Sequence, residues 1–248
     1  MHFPGIGRNG CVDMNLILLF PDDMVTAARA RITGRRLRHV LEVHRAGVGD
    51  ELIVGLLGGA IGTGRVTRVD DSLLEMDVRL DRDPPAGLPL TVVLALPRPK
   101  VLRRVLHSLS VMGVKRIVLV NAARVEKSYW QTPFLMPEAI DRQLVLGLEQ
   151  SRDTLLPEVQ LRQLFKPFAE DELPGMIKGS LSLVAHPGGA ATCPRDVRVP
   201  VTLAVGPVGG FVPYEIEKLV SLGFTPVSLG ERVLNVETAV PALVSRLF

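Results

Sequence analysis

The stretch VTLAVGPVGGFVPYEIEKLVSLGFTPVSLGERVLNVETAVPALVSRL, residues 201–247, decides the fold. An unbroken apolar run, residues 201–205, enters a glycine-rich turn, and a helical pattern follows over residues 213–222. A second apolar run, residues 224–229, then leads through a loop into a last helix. Pro241 suggests that this helix starts late, because a proline beyond the first turn breaks or kinks a helix. Strand, loop and helix, repeated in this order, are typical of an α/β protein with a parallel sheet. In such sheets, ligands bind at the loops that follow the carboxyl ends of the strands.

The same alternation extends back to about residue 88. Strands and helices are predicted in turn at residues 90–96, 100–112, 116–120, 137–151 and 181–186. The helix at residues 100–112 has an apolar stripe for the core, and its opposite side is basic and a candidate RNA contact. The last of these strands ends at His186 and supplies a third loop. A single histidine at a strand end is more often structural than catalytic, so His186 receives no predicted role.

Residues 14–84 show a different pattern, which predicts a small β-barrel. Short strand-like runs separated by turn signals lie at residues 51–54, 61–69 and 73–80. A short helix is expected at residues 33–43, with Thr33 as its N-cap. Residues 81–87 contain Pro84-Pro85 and form the best linker, because proline stiffens the chain and cannot join a sheet interior. We therefore expect two domains, residues 14–84 and residues 88–248.

A dense cluster of positive charge surrounds the predicted N-terminal helix. Its arginines are Arg29, Arg31, Arg35, Arg36, Arg38 and Arg45. Arginine guanidinium groups bind phosphates in a bidentate manner, so this cluster is a candidate RNA-docking face. Charge runs of this kind are also common on solvated surfaces. Charge alone leaves both interpretations open.

The composition is that of a globular chain, with 47% hydrophobic and 22% charged residues in 248. The formal net charge of +3 permits a polyanionic partner without requiring one. The two cysteines, Cys11 and Cys193, lack metal-ligand spacing, so we expect neither zinc nor disulfides, and a reducing cytoplasm fits. The apolar run at residues 15–20 is too short to span a membrane. Residues 1–13 are interpreted either as a disordered leader or as a segment that precedes a start at Met14.

Three ordered motifs in the C-terminal region carry a family resemblance. They are Gly206-Pro207-Val208-Gly209-Gly210-Phe211, Ser228-Leu229-Gly230 and the segment RVLNVETA at residues 232–239. Together they resemble the signature of the RsmE-type 16S ribosomal RNA (uracil-N3) methyltransferases of the SPOUT class. Residues 125–128 and 149–152 resemble two further family segments, and residues 33–51 resemble the family's PUA-like N-terminal domain. The resemblance covers nearly all of residues 14–248.

The resemblance implies a deep trefoil knot in the C-terminal domain, with S-adenosylmethionine bound in a bent conformation at the knotted loops. It implies that mainly backbone groups and small or apolar side chains hold the cofactor. The implied cofactor-binding residues are Val184, Ala185, Gly206, Gly210, Ser228, Leu229, Gly230, Val233, Leu234 and Thr238.

For catalysis, the resemblance implies methyl transfer to N3 of a uridine without a metal, in which positioning and water exclusion supply much of the rate. A nearby cation would stabilise the uridine anion. The candidate catalytic residues are Arg152, Arg232, Asn235 and Glu237. The resemblance also implies a homodimer, with ribosomal RNA or the small ribosomal subunit as partner.

Two positions depart from the family pattern. The family usually has glutamate where Val208 stands and arginine where Asn235 stands. An alternative interpretation therefore remains open, in which the chain is an RNA-binding or ribosome-assembly protein with altered or lost catalysis. A dinucleotide-dependent oxidoreductase is disfavoured, because the GxGxxG spacing is absent from the sequence.

Overall fold

The computed structural model describes residues 15–189 and 191–248, which divide into two compact units. One unit comprises the described residues as far as Pro84, together with Arg152–Thr154. The other comprises Pro85–Ser151 and Leu155–Phe248. The expectations for residues 1–13, including Cys11, lie outside the described residues.

The N-terminal unit is built on one six-stranded sheet. Its strands are β1 (Ile17–Leu19), β2 (Met24–Thr26), β3 (Arg29–Ile32), β4 (Glu51–Leu56), β5 (Ile61–Val69) and β6 (Leu74–Arg82). The strand order is β1-β4-β5-β6-β3-β2, and only the β1–β4 pair is parallel. Alternate residues of β3 are buried, because Ala30 and Ile32 face the core while their arginine neighbours face solvent. Helix α1 (Gly34–His39), whose N-cap is Thr33, continues into a π-helical turn, Val40–His44.

The C-terminal unit is built on a seven-stranded sheet in which every pair is parallel. Its strands are β7 (Leu88–Ala95), β8 (Val114–Val120), β9 (Glu158–Arg162), β10 (Leu181–Ala185), β11 (Ala191–Thr192), β12 (Val201–Val205) and β13 (Thr225–Ser228). The order is β11-β13-β10-β12-β7-β8-β9. The predicted α/β fold with a parallel sheet is confirmed.

The helices of this unit lie between consecutive strands, except for the last one, which follows β13. They are α2 (Pro99–Val111), α3 (Pro137–Ser151), the short helices α4 (Phe165–Pro167) and α5 (Leu173–Met176), α6 (Pro213–Ser221) and α7 (Val236–Leu247). β12 is entirely buried and so is the second half of β7, residues 92–95, which explains why both strands appear in the sequence as nearly continuous apolar runs. In α2 the buried residues are Leu102, Val105, Leu106, Leu109 and Ser110. No helix among the described residues is long and apolar enough to cross a membrane.

The last helix begins earlier than its sequence predicts. Pro241 suggested a late start, because proline beyond the first turn removes a backbone hydrogen bond. That prediction is wrong: α7 starts at Val236 and contains Pro241 in its interior. The buried residues Val240, Leu243, Val244 and Leu247 anchor the helix, and tertiary packing of this kind overrides local propensity.

Candidate active site

Strand order brings three loops together at one edge of the C-terminal sheet. β10 lies between β13 and β12, and all three strands are parallel, so the loops that follow them leave the same edge. These loops surround a cavity of about 840 Å³, within the usual size range of ligand sites. Its lining is mostly backbone and apolar side chains, with few charged groups.

The loop after β12 is glycine-rich because its backbone is crowded and turns sharply. A Cβ atom on Gly206 would lie 2.8 Å from the backbone nitrogen of Phe211, so only glycine fits there without a shift. Gly209 and Gly210 have φ angles of 90° and 75°, in the left-handed region that glycine adopts most readily. Backbone groups of this loop therefore line the cavity directly.

A buried carboxylate fixes the far end of the same loop. Glu215, in the first turn of α6, is 3% exposed. Its Oε2 accepts a 2.9 Å hydrogen bond from the Val212 amide, and its Oε1 accepts a 2.7 Å bond from the Ala123 amide. The next residue, Arg124, donates from Nη1 to the carbonyl oxygen of Gly209. Two adjacent residues that follow β8 thus hold the glycine-rich loop, one at its middle and one at the end that leads into α6.

The loop after β10 packs closely on β13. The His186 amide donates a 2.9 Å hydrogen bond to the Val227 carbonyl, and the Gly189 amide donates one of the same length to the His186 carbonyl. A Cβ atom on Gly189 would lie 2.9 Å from the Val227 backbone. His186 and Pro187 line the cavity, so this turn forms one of its walls.

The loop after β13 forms the exposed side of the cavity. Gly230 has a φ of 124°, and the side chains of Val233 and Leu234 are exposed although they line the cavity. The loop ends at Asn235, whose Oδ1 accepts a 2.8 Å hydrogen bond from the Thr238 amide and caps α7. Exposed apolar side chains around a cavity are typical of a surface that a ligand covers.

Most of the predicted cofactor-binding residues line this one cavity. They are Ala185, Gly206, Gly210, Ser228, Leu229, Gly230, Val233 and Leu234. Val184 and Thr238 are not among the described residues that line it. Val184 is fully buried inside β10, and Thr238 lies in the first turn of α7.

The predicted catalytic residues are more widely spread. Arg232 and Asn235 line the cavity, whereas Glu237 forms a 2.8 Å ion pair with Arg104 of α2. Arg152 has a left-handed backbone, with φ at 55°, directly after α3, and it groups with the N-terminal unit. It does not occur among the described residues around the cavity.

Sequence reasoning missed several residues that line the cavity. Arg124 and Glu217 add charge to it, and Phe211 and Ile216 add apolar surface. Arg124 follows β8, so its position at a strand's carboxyl end was the available signal. His186, for which the sequence predicts no role, lies at the cavity wall.

In the N-terminal unit, the six candidate RNA-binding arginines differ in their surroundings. Arg29 and Arg31 pair across β3 and β6 with Asp77 and Glu75, at 3.3 and 2.7 Å. Arg36 is mostly buried: it pairs with Asp23, donates 2.8 Å to the Leu18 carbonyl and lies over the Phe20 ring. These contacts give Arg36 a structural role.

The remaining arginines of the cluster, Arg35, Arg38 and Arg45, are exposed. Beside them, the rings of His39 and His44 meet edge to face with centroids 4.8 Å apart. Burial, and secondly the charge of His39, lower the pKa of His44. Of these three exposed arginines, Arg35 and Arg38 lie in α1, and Arg45 directly follows the π-helical turn.

Comparisons with known proteins agree with one another. The family model for the RNA methyltransferase domain matches residues 84–248. A ribosomal RNA small subunit methyltransferase E of Treponema pallidum is 27% identical, over 91% of this chain and 87% of its own length. The protein of the same name from Synechocystis is 24% identical, over 90% of this chain and 73% of its own.

Two solved structures share the fold. One is ribosomal RNA small subunit methyltransferase E from Neisseria gonorrhoeae bound to S-adenosylmethionine, with a TM-score of 0.71, 20% identity, and coverage of 94% of this chain and 95% of that one. The other is a putative methyltransferase from Legionella pneumophila in complex with S-adenosylmethionine, with a TM-score of 0.72, 22% identity, and coverage of 94% and 96%. At these identities the structural likeness shows the fold alone.

Proposed function

The chain belongs to the RNA methyltransferase domain family, and on this premise we propose that it transfers a methyl group from S-adenosylmethionine to ribosomal RNA of the small subunit. The relatives from Treponema pallidum and Synechocystis carry that activity in their names. The observation that carries the proposal is the cavity formed by the loops after β10, β12 and β13.

The chemistry of this cavity fits S-adenosylmethionine. An adenosyl group requires apolar surface for its ring and backbone donors and acceptors for its edges, and the lining offers both. Glycines at 206, 209 and 210 let the main chain approach a ligand closely. We propose that Ala185, Gly206, Gly210, Ser228, Leu229, Gly230, Val233 and Leu234 hold the cofactor, with Val184 and Thr238 supporting them from behind.

Bound there, S-adenosylmethionine supplies an electrophilic methyl group for in-line transfer. The protein's task is then to position the target base and to exclude water. If the target is N3 of a uridine, as the RsmE resemblance implies, the base must lose a proton. We propose that Arg232 stabilises the resulting anion from the cavity's exposed loop, and that Asn235 and Glu237 organise the start of α7. Arg152 is proposed to contact the RNA.

The proposal extends to the architecture and the partners. We propose that the C-terminal unit is a SPOUT domain whose last strand and helix form a deep trefoil knot. The N-terminal unit is proposed to be a PUA-like barrel, residues 14–84, that docks RNA through Arg29, Arg31, Arg35, Arg38 and Arg45. Arg36, which is held by Asp23, would act by keeping α1 in place. We further propose a homodimer that works in the cytoplasm.

Two measurements test the function. Isothermal titration calorimetry of the full chain with S-adenosylmethionine should give one saturable site for each chain. Incubation with purified small-subunit ribosomal RNA and radiolabelled cofactor should then transfer label to RNA, and nuclease mapping should place it on a uridine. Absence of cofactor binding at millimolar concentration would reject the proposal.

A second function follows from one specific observation. Asn235 has an uncharged side chain that caps α7, and the chain therefore has no cation at the position where the RsmE family usually has arginine. The competing proposal is an RNA-binding ribosome-assembly protein without methyl transfer. It predicts that the chain binds ribosomal RNA but leaves it unlabelled in the same assay.

A further inference from the structure

Besides the arginine cluster of the N-terminal unit, one segment of the C-terminal unit carries a large excess of basic over acidic residues. Residues 85–136 contain eight lysines and arginines and a single acidic residue, Glu126. In the rest of the chain, acidic residues outnumber basic ones by 25 to 21. Although the formal net charge of the whole chain is only +3, residues 85–136 in the C-terminal unit are therefore strongly basic.

The topology places six of these eight cations at the edge of the sheet where the cavity lies. They follow the carboxyl ends of β7 and β8, which continue the sheet next to β12. These six residues, called the edge cations below, are Arg98, Lys100, Arg103, Arg104, Arg124 and Lys127. The other two, Lys115 and Arg116, lie at the start of β8 and so near the opposite edge.

Helix α2 arranges part of this charge as a stripe. Lys100, Arg103, Arg104 and His107 recur at the spacing of one helix face, opposite the buried leucines. The first three are exposed, and Lys100 has no ion-pair partner among residues 15–189 and 191–248. Arg103 lies over the Phe134 ring, 5.0 Å from its centroid. A cation that stacks on a ring keeps its charge available to an anion.

The stripe is joined to the cavity on two sides. Arg104 pairs with Glu237 in the first turn of α7, directly after Asn235 and Val236, which line the cavity. On the other side, Arg124 both lines the cavity and donates to the Gly209 carbonyl. Positive charge thus extends from the side of α2 to the opening of the candidate active site.

We propose that the edge cations bind the phosphate backbone of the RNA strand that carries the target nucleotide. This inference rests on the proposed function and gives the C-terminal unit its own RNA-binding surface, in addition to the arginines of the N-terminal unit. RNA is the partner that fits, because the surface has excess positive charge, its segment holds a single acidic residue, and Lys100 and Lys127 are flexible point-like donors. The surface positions the substrate and takes no part in the chemistry.

The test measures how RNA binding by the full chain depends on salt. The probe is a fluorescein-labelled oligouridylate of about 20 nucleotides, and its Kd is measured by anisotropy between about 50 and 400 mM KCl. The test variant is Lys100→Gln/Arg103→Gln. The matched control, Lys178→Gln/Arg198→Gln, also removes one exposed lysine and one exposed arginine, but just before β10 and β12, near the opposite edge of the sheet.

The test variant should weaken binding roughly 25-fold at about 0.1 M KCl, because each phosphate contact contributes about 0.7 to the slope of log K against log salt for single strands. The slope itself should fall by about 1.4. The control should leave both quantities at their wild-type values. Lys100→Gln alone should lower the slope by about 0.7, which is half of the effect of the double variant. A graded effect of this kind distinguishes the loss of phosphate contacts from a folding defect in the double variant.

Cofactor binding and RNA methylation are measured as well, so that failure of this inference can be distinguished from failure of the proposed function. If wild type binds S-adenosylmethionine and methylates RNA while the test variant keeps the wild-type salt slope, the inference is overturned and the function stands. Equal losses in the test variant and the control would also overturn it, since they would indicate a general charge effect. A change in oligomeric state of the test variant, with RNA affinity intact, would overturn it too and would identify the stripe as a protein interface.

Discussion

Glu215 accepts a 2.7 Å hydrogen bond from the backbone amide of Ala123, 92 residues earlier in the chain. Its other carboxylate oxygen accepts from Val212 at 2.9 Å, and both bonds form in a site where Glu215 is 3% exposed. A buried carboxylate with two amide donors is well satisfied, whereas its replacement by an amide is not. This contact ties the loop after β8 to the glycine-rich loop of the cavity.

We expect Glu215→Gln to lower the free energy of unfolding by about 2 kcal/mol, because the new NH₂ group must face one of two backbone N–H donors. Cofactor affinity should fall as well, since the end of the glycine-rich loop loses a restraint. Urea unfolding and calorimetry measure the two effects. Glu217→Gln, an exposed change in the same helix, is the stability control, and an equal loss in both variants would contradict the role given to Glu215.

Gly206→Ala should weaken S-adenosylmethionine binding at least roughly tenfold. The new Cβ atom would lie 2.8 Å from the Phe211 nitrogen, and overpacking of this kind typically costs about 1–3 kcal/mol. Calorimetry gives the Kd. Gly175→Ala in α5 is the control, because a Cβ atom added there would have no neighbouring atom within 4 Å. Unchanged affinity in Gly206→Ala would show that this loop does not hold the cofactor.

Asn235→Ala should destabilise the protein by about 1 kcal/mol, because the Thr238 amide loses its side-chain acceptor at the start of α7. Asn235→Asp should retain the cap, since aspartate accepts the same bond and favours a helix N-terminus. Thermal unfolding of both variants distinguishes them. Equal stability of Asn235→Ala and wild type would mean that packing of α7 alone fixes the helix start.

Arg36→Gln and Arg38→Gln should separate structure from RNA binding in the N-terminal unit. The Arg36 and Asp23 side chains are 15% and 12% exposed, so loss of Arg36 leaves a mostly buried charge and should cost roughly 2–3 kcal/mol. Arg38 is exposed, and its loss should change stability by less than about 0.5 kcal/mol. Urea unfolding measures stability, and oligouridylate anisotropy measures RNA binding. Only Arg38→Gln should weaken RNA binding at full stability.

His44 should make the protein less stable as the pH falls below about 6.5, the ordinary value for this group. Burial, followed by the charge of His39, lowers its pKa in the folded state, so the unfolded chain takes up the proton first. The stabilisation is complete above that pH and is lost on acidification towards the lowered pKa. His44→Leu should flatten the dependence of the unfolding midpoint on pH between about 7.5 and 5.5. Val43→Leu, an exposed change beside His44 that removes no titratable group, should keep the wild-type slope.

Much of the fold is visible in the sequence, because buried parallel strands and amphipathic helices have distinct periods. The runs at residues 201–205 and 61–69 coincide with β12 and β5, and α3 has the predicted bounds of residues 137–151. β3 was missed, because Arg29 and Arg31 occupy its exposed positions and made four residues resemble a charge cluster. The start of α7 was misjudged for the opposite reason, since a local rule about Pro241 carried too much weight against packing.

The residues of the candidate site could be predicted from the sequence only in part, for a different physical reason. Glycine-rich turns after strands can be recognised one at a time, but only the family resemblance implies a cofactor-binding role for Gly206, Gly210 and Gly230, which line the cavity. Arg124 was not, because its place at the cavity depends on the loop after β8 lying beside the loop after β12. That neighbourhood comes from the Glu215 and Gly209 contacts between distant parts of the chain.

The sequence by itself determined the two patterns of periodicity, the location of the glycine turns and the accumulation of cations in residues 85–136, since each is a local property of neighbouring residues. Tertiary structure alone decided the strand order β13-β10-β12-β7-β8, and with it which loops share an edge. Pairing of parallel strands joins residues far apart in the chain through backbone hydrogen bonds, which any residue except proline can donate. The side chains of a segment therefore indicate strongly that it forms a strand, but only weakly which other strand it pairs with.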